Sequence, residues 1–203
     1  MSNPTIAPYG SWKSPITSDL IVAETIGVAA PGFDGDDLYW QELRPQEGGR
    51  MTVMRHAADG TTTDLTPAPF NARTSVHEYG GGAYAVDKGT LYFSNFADQR
   101  LYRLDPGGSA YAITPEAALR YADAIVDRQR NLLFCVREDH TGAGEAVNTL
   151  VKIRIAGDER GGEVIVAGNS FYSSPRLSPD GSRLAWLTWN HPNICLLYTS
   201  RCV

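Results

Sequence analysis

Residues 174–186 have the sequence SPRLSPDGSRLAW, which is the clearest structural signal in the chain. The tripeptide Pro179-Asp180-Gly181 is a turn sequence, because proline presets φ at its position and glycine accepts a positive φ. Leu177 and Leu184 flank this turn. The stretch therefore predicts a β-hairpin with one of these leucines on each strand.

Similar strand-like runs recur along the chain at the spacing of a repeat. The sequences LYW, LYF, LFC and LAW begin at Leu38, Leu91, Leu133 and Leu184, so successive starts differ by 53, 42 and 51 positions. One four-stranded blade of a β-propeller takes about 40–50 residues. The first three runs are each followed by a second strand and by a glycine-containing turn that suits a tight hairpin. The repeats predict an all-β chain of about four four-stranded antiparallel blades, which is a partial β-propeller.

The third repeat shows strand alternation most clearly. In residues 149–155 the side chains alternate in character, which is typical of an antiparallel strand with one apolar side. The predicted apolar side carries Val151, Ile153 and Ile155, and the other side carries Leu150, Lys152 and Arg154.

The repeats also predict the domain organisation. Residues 1–193 form one propeller region, and its blades cover residues 22–67, 76–115, 120–168 and 171–193. Helix signals are few. Ser14 as an N-cap and Pro15 at the first helical position predict one short helix before the first blade.

The last ten residues break the pattern. Residues 195–200 equal the translation of the transposon-end sequence TGTCTCTTATACACATCT, which gives Cys-Leu-Leu-Tyr-Thr-Ser. We therefore expect residues 194–203 to be a non-native, adapter-derived tail, and we exclude them from fold prediction. The alternative is a genuine short strand at the C-terminus.

Composition excludes several classes of function. The formal net charge is −5, and no cluster of Lys and Arg marks a nucleic-acid surface. No apolar stretch approaches the roughly 18 residues of a membrane-spanning helix, and no secretory signal begins the sequence. The three cysteines form no C-x-x-C pair, and Cys135 is predicted to be a small buried thiol. We expect a cytoplasmic protein with no cofactor and no metal site.

Several longer motifs resemble a known family. The Pro-Asp-Gly hairpin resembles the repeat of TolB-type propellers. Residues 65–193 are similar to the N-terminal propeller of bacterial prolyl oligopeptidase family serine peptidases, in the acylaminoacyl-peptidase and dipeptidyl-aminopeptidase-like branch. The motifs that carry this resemblance are LTPAPFN (65–71), VHEYGGGAY (76–84), YFSNFADQRLY (92–102), VREDH (136–140) and FYSSPRLSPDG (171–181).

The resemblance implies a larger parent enzyme. In that family a propeller is followed by an α/β-hydrolase domain whose nucleophilic serine lies in G-x-S-x-G. The present sequence has no G-x-S-x-G, and its nearest match, residues 107–111, ends in tyrosine. We therefore expect the hydrolase domain to be missing, assign no catalytic residue, and expect the chain alone to be inactive. The implied partners are a peptide substrate and the hydrolase domain in cis, while the oligomeric state and the peptide specificity stay open.

Two charged segments are candidate substrate-binding sites. Residues 77–82 (HEYGGG) are predicted to lie at the entry of an inner strand, near the propeller axis, where Glu78 would be available to a substrate's amino group. The alternative is that the glycines allow close packing and that Glu78 pairs with a neighbouring arginine. Arg137 and Glu138 would face the peptidase domain or the substrate cavity, and their alternative is a solvated loop with weak local ion pairs.

These observations leave two main functional hypotheses. In the first, the chain is a non-catalytic, substrate-gating propeller of a serine peptidase that hydrolyses short peptides or acylated peptides. In the second, it is a stand-alone TolB-like propeller that acts as a protein-interaction scaffold. A third and weaker hypothesis is a propeller hydrolase with its own axial catalytic residues, which would need clustered carboxylates or histidines.

Overall fold

The structure is a computed structural model that describes residues 6–11, 13–22 and 25–191, together with the backbone of residues 201 and 202. Its regular structure is almost all β-sheet, in four antiparallel sheets. Within each sheet the strands follow one another in chain order, so every sheet is an up-and-down meander. The predicted all-β fold of about four antiparallel blades is confirmed.

The strands have the following bounds. The first sheet contains β1 (Gly27–Asp34), β2 (Asp37–Arg44), β3 (Arg50–His56) and β4 (Thr62–Asp64), with a short 3-10 helix at Pro45–Glu47. The second contains β5 (Tyr84–Asp87), β6 (Thr90–Ser94), β7 (Leu101–Leu104) and β8 (Tyr111–Ala112). The third contains β9 (Leu119–Asp127), β10 (Leu132–Asp139), β11 (Val147–Arg154) and β12 (Glu163–Val166). The fourth contains β13 (Phe171–Leu177), β14 (Leu184–Trp189) and β15 (Arg201–Cys202).

The predicted tail falls mostly outside this description. Residues 194–200 and residue 203 lie outside the described residues, while the backbone of β15 pairs with Leu187 and Thr188 on β14. The assignment of residues 194–203 as a non-native tail therefore stays a prediction, as do the predicted blade limits.

One short helix, α1 (Ser18–Val22), precedes the first sheet. Its N-cap is Thr17, because the Thr17 hydroxyl oxygen accepts the backbone N–H of Leu20 at 3.1 Å. The prediction that Ser14 caps the helix is wrong. The Ser14 hydroxyl oxygen instead accepts the N–H of Ile16 at 3.0 Å, which is a local turn, and the helix begins three residues later than a Pro15 start.

The leucine-led runs occupy the second strand of each sheet, namely β2, β6, β10 and β14. A further strand precedes each run. The Leu177 strand of the predicted hairpin and the inner strand predicted after residues 77–82 correspond to two of these strands, β13 and β5, while β1 and β9 were not predicted from the sequence. We call these first strands, β1, β5, β9 and β13, the inner strands, because β9 contacts both β5 and β13 of the neighbouring sheets. The sheets therefore approach one another along their first strands, as propeller blades do around an axis.

Apolar layers separate successive sheets. The layer between the first two contains Val53, Ala72, Leu91 and Phe93. The layer between the second and third contains Tyr92, Leu101, Ile113, Leu119, Tyr121, Leu133, Cys135, Val151 and Ile153. The layer between the third and fourth contains Val76, Ala122, Val136, Leu150 and Tyr172. Cys135 is fully buried, as the sequence predicts, and burial raises the pKa of its thiol.

Strand β11 departs from its predicted pattern. Val151 and Ile153 pack toward the second sheet, in agreement with the predicted apolar side. Leu150 on the other side is also fully buried, and it packs against Val136 and Tyr172. The prediction of a single apolar side is wrong for this strand, because the third sheet lies between two others and buries both of its faces.

Three inner strands carry a bulge at which a residue other than glycine has a positive φ. These residues are Ala30 (49°), Asp123 (56°) and Ser174 (52°). The pairing register of the strand is interrupted around each of them. A bulge bends a strand and changes the direction of its side chain and backbone groups. At these bulges the Ala30 carbonyl, the Asp123 carboxylate and the Ser174 N–H form hydrogen bonds with groups of neighbouring blades.

The bulged Asp123 joins three sheets. Its Oδ1 accepts the N–H of Gly82 at 2.6 Å, and its Oδ2 accepts the N–H of Ser174 at 2.8 Å. The N–H of Asp123 itself donates to the Gly82 carbonyl at 2.7 Å. We call Gly82, Asp123 and Ser174 the axial clamp. The Tyr84 hydroxyl donates to the Ala30 carbonyl at 2.6 Å and extends this inner connection to the first sheet.

Substitution of Gly82 by alanine tests the axial clamp. A Cβ at this position would lie 2.8 Å from Asp123 Oδ1, which is closer than van der Waals contact allows. We expect Gly82→Ala to lower the free energy of unfolding by about 1–3 kcal/mol, as overpacking does, measured by urea denaturation. The matched control is Gly142→Ala, where a Cβ meets no atom within 4 Å. Equal midpoints for the two variants would contradict this account of the clamp.

The turn at Asp180 predicts a pH dependence of stability. The Asp180 carboxylate accepts hydrogen bonds from the Ser178 hydroxyl and from the N–H and hydroxyl of Ser182, which lower its pKa from 3.8 to about 2. A depressed pKa stabilises the folded state above the unfolded value, and the contribution is lost as pH falls through the folded value. The melting temperature of the wild type should therefore exceed that of Asp180→Asn above about pH 5. The difference should shrink as the pH falls and vanish only below the folded pKa, by about pH 1. A difference that is constant over this range would refute the assignment.

Candidate functional site

The connection between β4 and β5 carries the most unusual local structure. Residues 74–82, which we call the crossing segment, contact both the third and the fourth sheet. His77 and Glu78 have φ values of 55° and 66°, in the left-handed region. The N–H of His77 donates to Glu138 Oε1 on β10 at 3.0 Å. This contact holds the segment against the third sheet and fixes where the Glu78 side chain begins.

Arg120, on the inner strand β9, forms hydrogen bonds with the charged groups around this segment. Its Nη1 donates to Glu78 Oε1 at 2.7 Å, to Glu138 Oε2 at 3.3 Å and to the Ser75 carbonyl at 2.8 Å. His140 Nε2 lies 2.9 Å from Glu138 Oε2. We call Glu78, Arg120, Glu138 and His140 the acidic cluster. One guanidinium is shared by two carboxylates, which leaves these three groups with a formal charge of −1.

The two carboxylates of the cluster differ in their surroundings. The Glu138 side chain is 5% exposed and is satisfied by Arg120, His140 and the His77 N–H. The Glu78 side chain is 80% exposed. Its hydrogen bond and charge interaction with Arg120 lower the pKa of Glu78, so this carboxylate is ionised at neutral pH. Glu138 therefore serves as an internal anchor, while Glu78 presents a fixed negative charge to solvent.

Arg137 lies apart from the acidic cluster. Successive side chains of a strand point to opposite faces of the sheet, so Arg137 and Glu138 on β10 diverge. The Nη1 of Arg137 donates to the carbonyls of Gly161 at 3.4 Å and Gly162 at 3.2 Å, and its Nη2 lies 3.6 Å from Asp139 Oδ2. The structure thus brings together two of the three residues proposed from the sequence. Their role in substrate binding stays a prediction.

Arg120 is the site residue that sequence reasoning missed. The sequence is compatible with an arginine partner of Glu78 but does not identify it, since Arg120 is 42 residues away along the chain. No local motif marks Arg120, which stands in the strand sequence LRYADAIVD. Only the contact between the crossing segment and β9 reveals the pair.

Aromatic rings surround His77. Its ring centroid lies 5.1 Å from that of Phe171, 5.7 Å from that of Trp189 and 5.8 Å from that of Tyr79. Phe171 and Trp189 are themselves stacked, with centroids 5.4 Å apart. Burial lowers the pKa of His77, so its imidazole is neutral at neutral pH.

Two cavities share His77 in their linings. The acidic cavity has a volume of about 560 Å³, and its lining includes Glu78, Glu138, His140, Glu145 and Asn148. The apolar cavity has a volume of about 420 Å³, and its lining includes Val76, Tyr79, Asp123, Val136, Tyr172, Leu187 and Trp189. The arrangement offers a negatively charged hollow beside an apolar one, which suits a ligand that carries a cation next to an apolar group.

Two further features concern the part of the chain that the structure describes. Within residues 6–11, 13–22 and 25–191, no three His, Cys, Asp or Glu side chains are grouped so that they could hold a metal ion. Among the same residues, no helix has the length and apolar character needed to cross a bilayer.

Removal of the Arg120 charge tests the acidic cluster. Arg120→Met should raise the pKa of Glu78 toward its ordinary value, because Arg120 is the main cause of the depression. It should also lower the free energy of unfolding by about 3 kcal/mol, since the buried Glu138 loses the Arg120 cation. Carbon-13 NMR titration of the Glu78 carboxyl and urea denaturation measure the two effects. The control is Lys152→Met, which removes an ion pair with Glu163 on the outer strand β12 and should leave the Glu78 pKa unchanged. An unchanged Glu78 pKa in Arg120→Met would disprove the coupling.

Comparison with known proteins identifies relatives of the chain. No family model and no curated protein matches it. A puromycin-hydrolysing peptidase of Mycobacterium tuberculosis is 40% identical over 94% of this chain and 32% of its own, with a TM-score of 0.81. A puromycin hydrolase is 35% identical over 93% of this chain and 32% of its own, with a TM-score of 0.80. TolB from Acinetobacter baumannii is similar in fold alone. It is 16% identical over 80% of this chain and 38% of its own, with a TM-score of 0.55.

The chain spans about a third of the length of the two peptidases that it matches. The chain therefore belongs to the prolyl oligopeptidase family of serine peptidases and corresponds to the propeller portion of its puromycin-hydrolysing members.

Proposed function

We propose that this propeller portion admits and orients short peptide-like substrates for a serine peptidase, and that Glu78 binds the amino group of the substrate. The catalytic serine, aspartate and histidine would lie on an α/β-hydrolase domain joined in cis, since this sequence contains no G-x-S-x-G. The identity of 35–40% to puromycin-hydrolysing peptidases supports a peptidase-associated role. The propeller itself would contribute binding and access rather than chemistry.

The observation that carries this proposal is the position of the Glu78 carboxylate. It is largely exposed, yet it is held at one end by Arg120 at 2.7 Å and by the left-handed backbone of the crossing segment. A group that is already held in place loses little conformational entropy when a ligand binds. The net negative charge of the cluster favours a cation, and the free amino group of a peptide is one.

The size of the cavities supports the gating part of the proposal. Volumes of about 420 and 560 Å³ lie within the range of about 300–1,000 Å³ that is typical of small-ligand sites. Such hollows accommodate one or two residues of a substrate, which agrees with selection for short peptides.

A cytoplasmic location is also part of this proposal, because the low cysteine content and the buried free thiol of Cys135 fit a reducing compartment.

A chimeric enzyme tests the role of Glu78. Residues 13–191 would replace the matching portion of the Mycobacterium tuberculosis puromycin-hydrolysing peptidase, and kcat/KM would be measured for puromycin and its N-acetyl derivative. We expect Glu78→Gln to lower kcat/KM for puromycin by about tenfold, since the neutral amide oxygen still accepts a hydrogen bond but the attraction between the carboxylate charge and the substrate ammonium is lost. The N-acetyl derivative carries no ammonium, so its kcat/KM should change much less.

The matched control in the chimera is Glu163→Gln. Glu163 is an exposed carboxylate on β12, outside both cavities, and its loss should affect neither substrate. The unfused chain should not turn over either compound. Equal kcat/KM values for Glu78→Gln and its parent chimera on puromycin would reject the proposal and favour a protein-interaction scaffold.

A further inference from the structure

We infer that the acidic cavity contains a second binding site, which takes the guanidinium group of an arginine side chain in a bound peptide. Asn148, His77 and Glu145 form this site, and all three line the cavity. The site does not use the Glu78 carboxylate. The inference therefore goes beyond the proposed function and does not rest on it, because a guanidinium ligand without a free amino group is enough to test it.

Asn148, at the start of β11, supplies the clearest sign of a ligand. It is only 5% exposed, and it lines the acidic cavity. Its Nδ2 donates to the Ser170 carbonyl at 2.9 Å, and this bond fixes the direction of the side-chain amide. Among the residues that the structure describes, its Oδ1 has no hydrogen-bond partner. A buried oxygen without a donor costs free energy, so a ligand N–H that reaches Oδ1 is favoured.

The His77 ring provides a second unpaired atom. Its Nε2 is buried and, within the described part of the chain, also has no hydrogen-bond partner. Burial lowers the pKa of His77 while an interaction with Asn148 opposes this shift, which places the two side chains next to each other. A neutral imidazole has one donor and one acceptor nitrogen. With the proton on Nδ1, the Nε2 atom and Asn148 Oδ1 are neighbouring acceptors for a ligand.

The charge of the cavity favours a cation. Glu78, Glu138 and Glu145 line the cavity, and the guanidinium of Arg120 is shared by the first two of these carboxylates. Glu145 lies in the connection between β10 and β11, where its carboxylate is 4.0 Å from His191 Nε2. The Glu145 side chain is 91% exposed, so it can turn toward a ligand that enters the cavity.

The set of acceptors favours a guanidinium over an ammonium. A guanidinium presents five N–H donors in one plane, whereas an ammonium is a point charge with three donors. Two neighbouring acceptors at Asn148 and His77, together with a carboxylate at Glu145, use donors that point in different directions. Phe171 also lines the cavity, and guanidinium groups stack on aromatic rings.

Apolar surface beside these acceptors favours an arginine side chain over a small free guanidinium. Val147 lines the acidic cavity and is 61% exposed. The methylene stem of an arginine packs along apolar surface while its charged head contacts polar groups. The cavity volume of about 560 Å³ is large enough for the stem and the head group together.

Titration of the full chain with N-acetyl-argininamide tests this inference, and the readout is nitrogen-15 NMR of the Asn148 side-chain amide and the Ser170 backbone amide. N-acetyl-citrullinamide has nearly the same shape without the charge. We expect it to bind at least about tenfold more weakly, because hydrogen bonds to a charged group contribute more. Absence of binding by N-acetyl-argininamide, or an equal affinity for the citrulline compound, would overturn the inference.

Two further probes test the choice of ligand. N-acetyl-lysinamide replaces the planar donor set by an ammonium, and methylguanidine lacks the stem. Each should bind at least about threefold more weakly than N-acetyl-argininamide. An equal affinity for the lysine compound would overturn the preference for a guanidinium. An equal affinity for methylguanidine would overturn the assignment to an arginine side chain.

Substitutions at two positions locate the ligand. Asn148→Ala removes the unpaired acceptor and should weaken N-acetyl-argininamide about tenfold. Glu145→Gln changes an exposed side chain and should weaken it about threefold, which keeps the inference testable if Asn148→Ala fails to fold. The matched control is Glu163→Gln, an exposed carboxylate on β12 outside this cavity, which should leave the affinity unchanged. Wild-type affinity in both cavity variants would overturn the inference.

The Glu78→Gln variant separates this inference from the proposed function. It should change the affinity for N-acetyl-argininamide by less than about threefold, since Glu78 would act on the guanidinium only through a screened charge. Binding that is lost in Glu78→Gln but kept in Asn148→Ala and Glu145→Gln would place the cation at Glu78. That result would overturn the second site and leave the proposed function standing.

Discussion

The Asp123 carboxylate is the contact on which the inner part of this structure depends. Its two oxygens accept the N–H of Gly82, at the end of the crossing segment that leads into the second sheet, and the N–H of Ser174 in the fourth sheet. One bulged residue of the third sheet therefore connects three blades. This arrangement requires the Gly82 backbone to approach the Asp123 carboxylate closely, because a Cβ at Gly82 would collide with that carboxylate. The glycines of the HEYGGG sequence are explained by this close approach. They allow the second sheet to reach the third along the axis.

The same segment that ends in the clamp also carries the candidate site. His77 and Glu78 lie a few residues before Gly82, and their left-handed backbone turns the segment over the end of the third sheet. Glu138 holds the segment by accepting the backbone N–H of His77, and Arg120 holds the Glu78 side chain by donating to its carboxylate. Backbone packing and site geometry are thus coupled. We therefore expect a change in the clamp to displace the Glu78 carboxylate and a change in the acidic cluster to weaken the packing of the crossing segment.

The candidate site therefore combines parts of three blades. Each blade supplies one component: the second supplies the crossing segment, the third supplies Arg120 and Glu138, and the fourth supplies Phe171 and Trp189. Trp189 lines the apolar cavity, Glu78 and Glu138 line the acidic cavity, and His77 lines both. The peptidases that the chain resembles at 35–40% identity are about three times longer than the chain.

The sequence alone determined the blade repeats, the turn at Pro179-Asp180-Gly181, the burial of Cys135 and the choice of Glu78 and Glu138 as candidates. All of these depend on side-chain alternation, on turn residues or on motifs within a few positions of one another. Tertiary structure alone decided that Arg120 joins the two carboxylates, that Arg137 points to the opposite face, and that Leu150 is buried on a second apolar face. These outcomes depend on which sheets become neighbours. Contacts across sheets join residues tens of positions apart, and no local pattern in the chain records them.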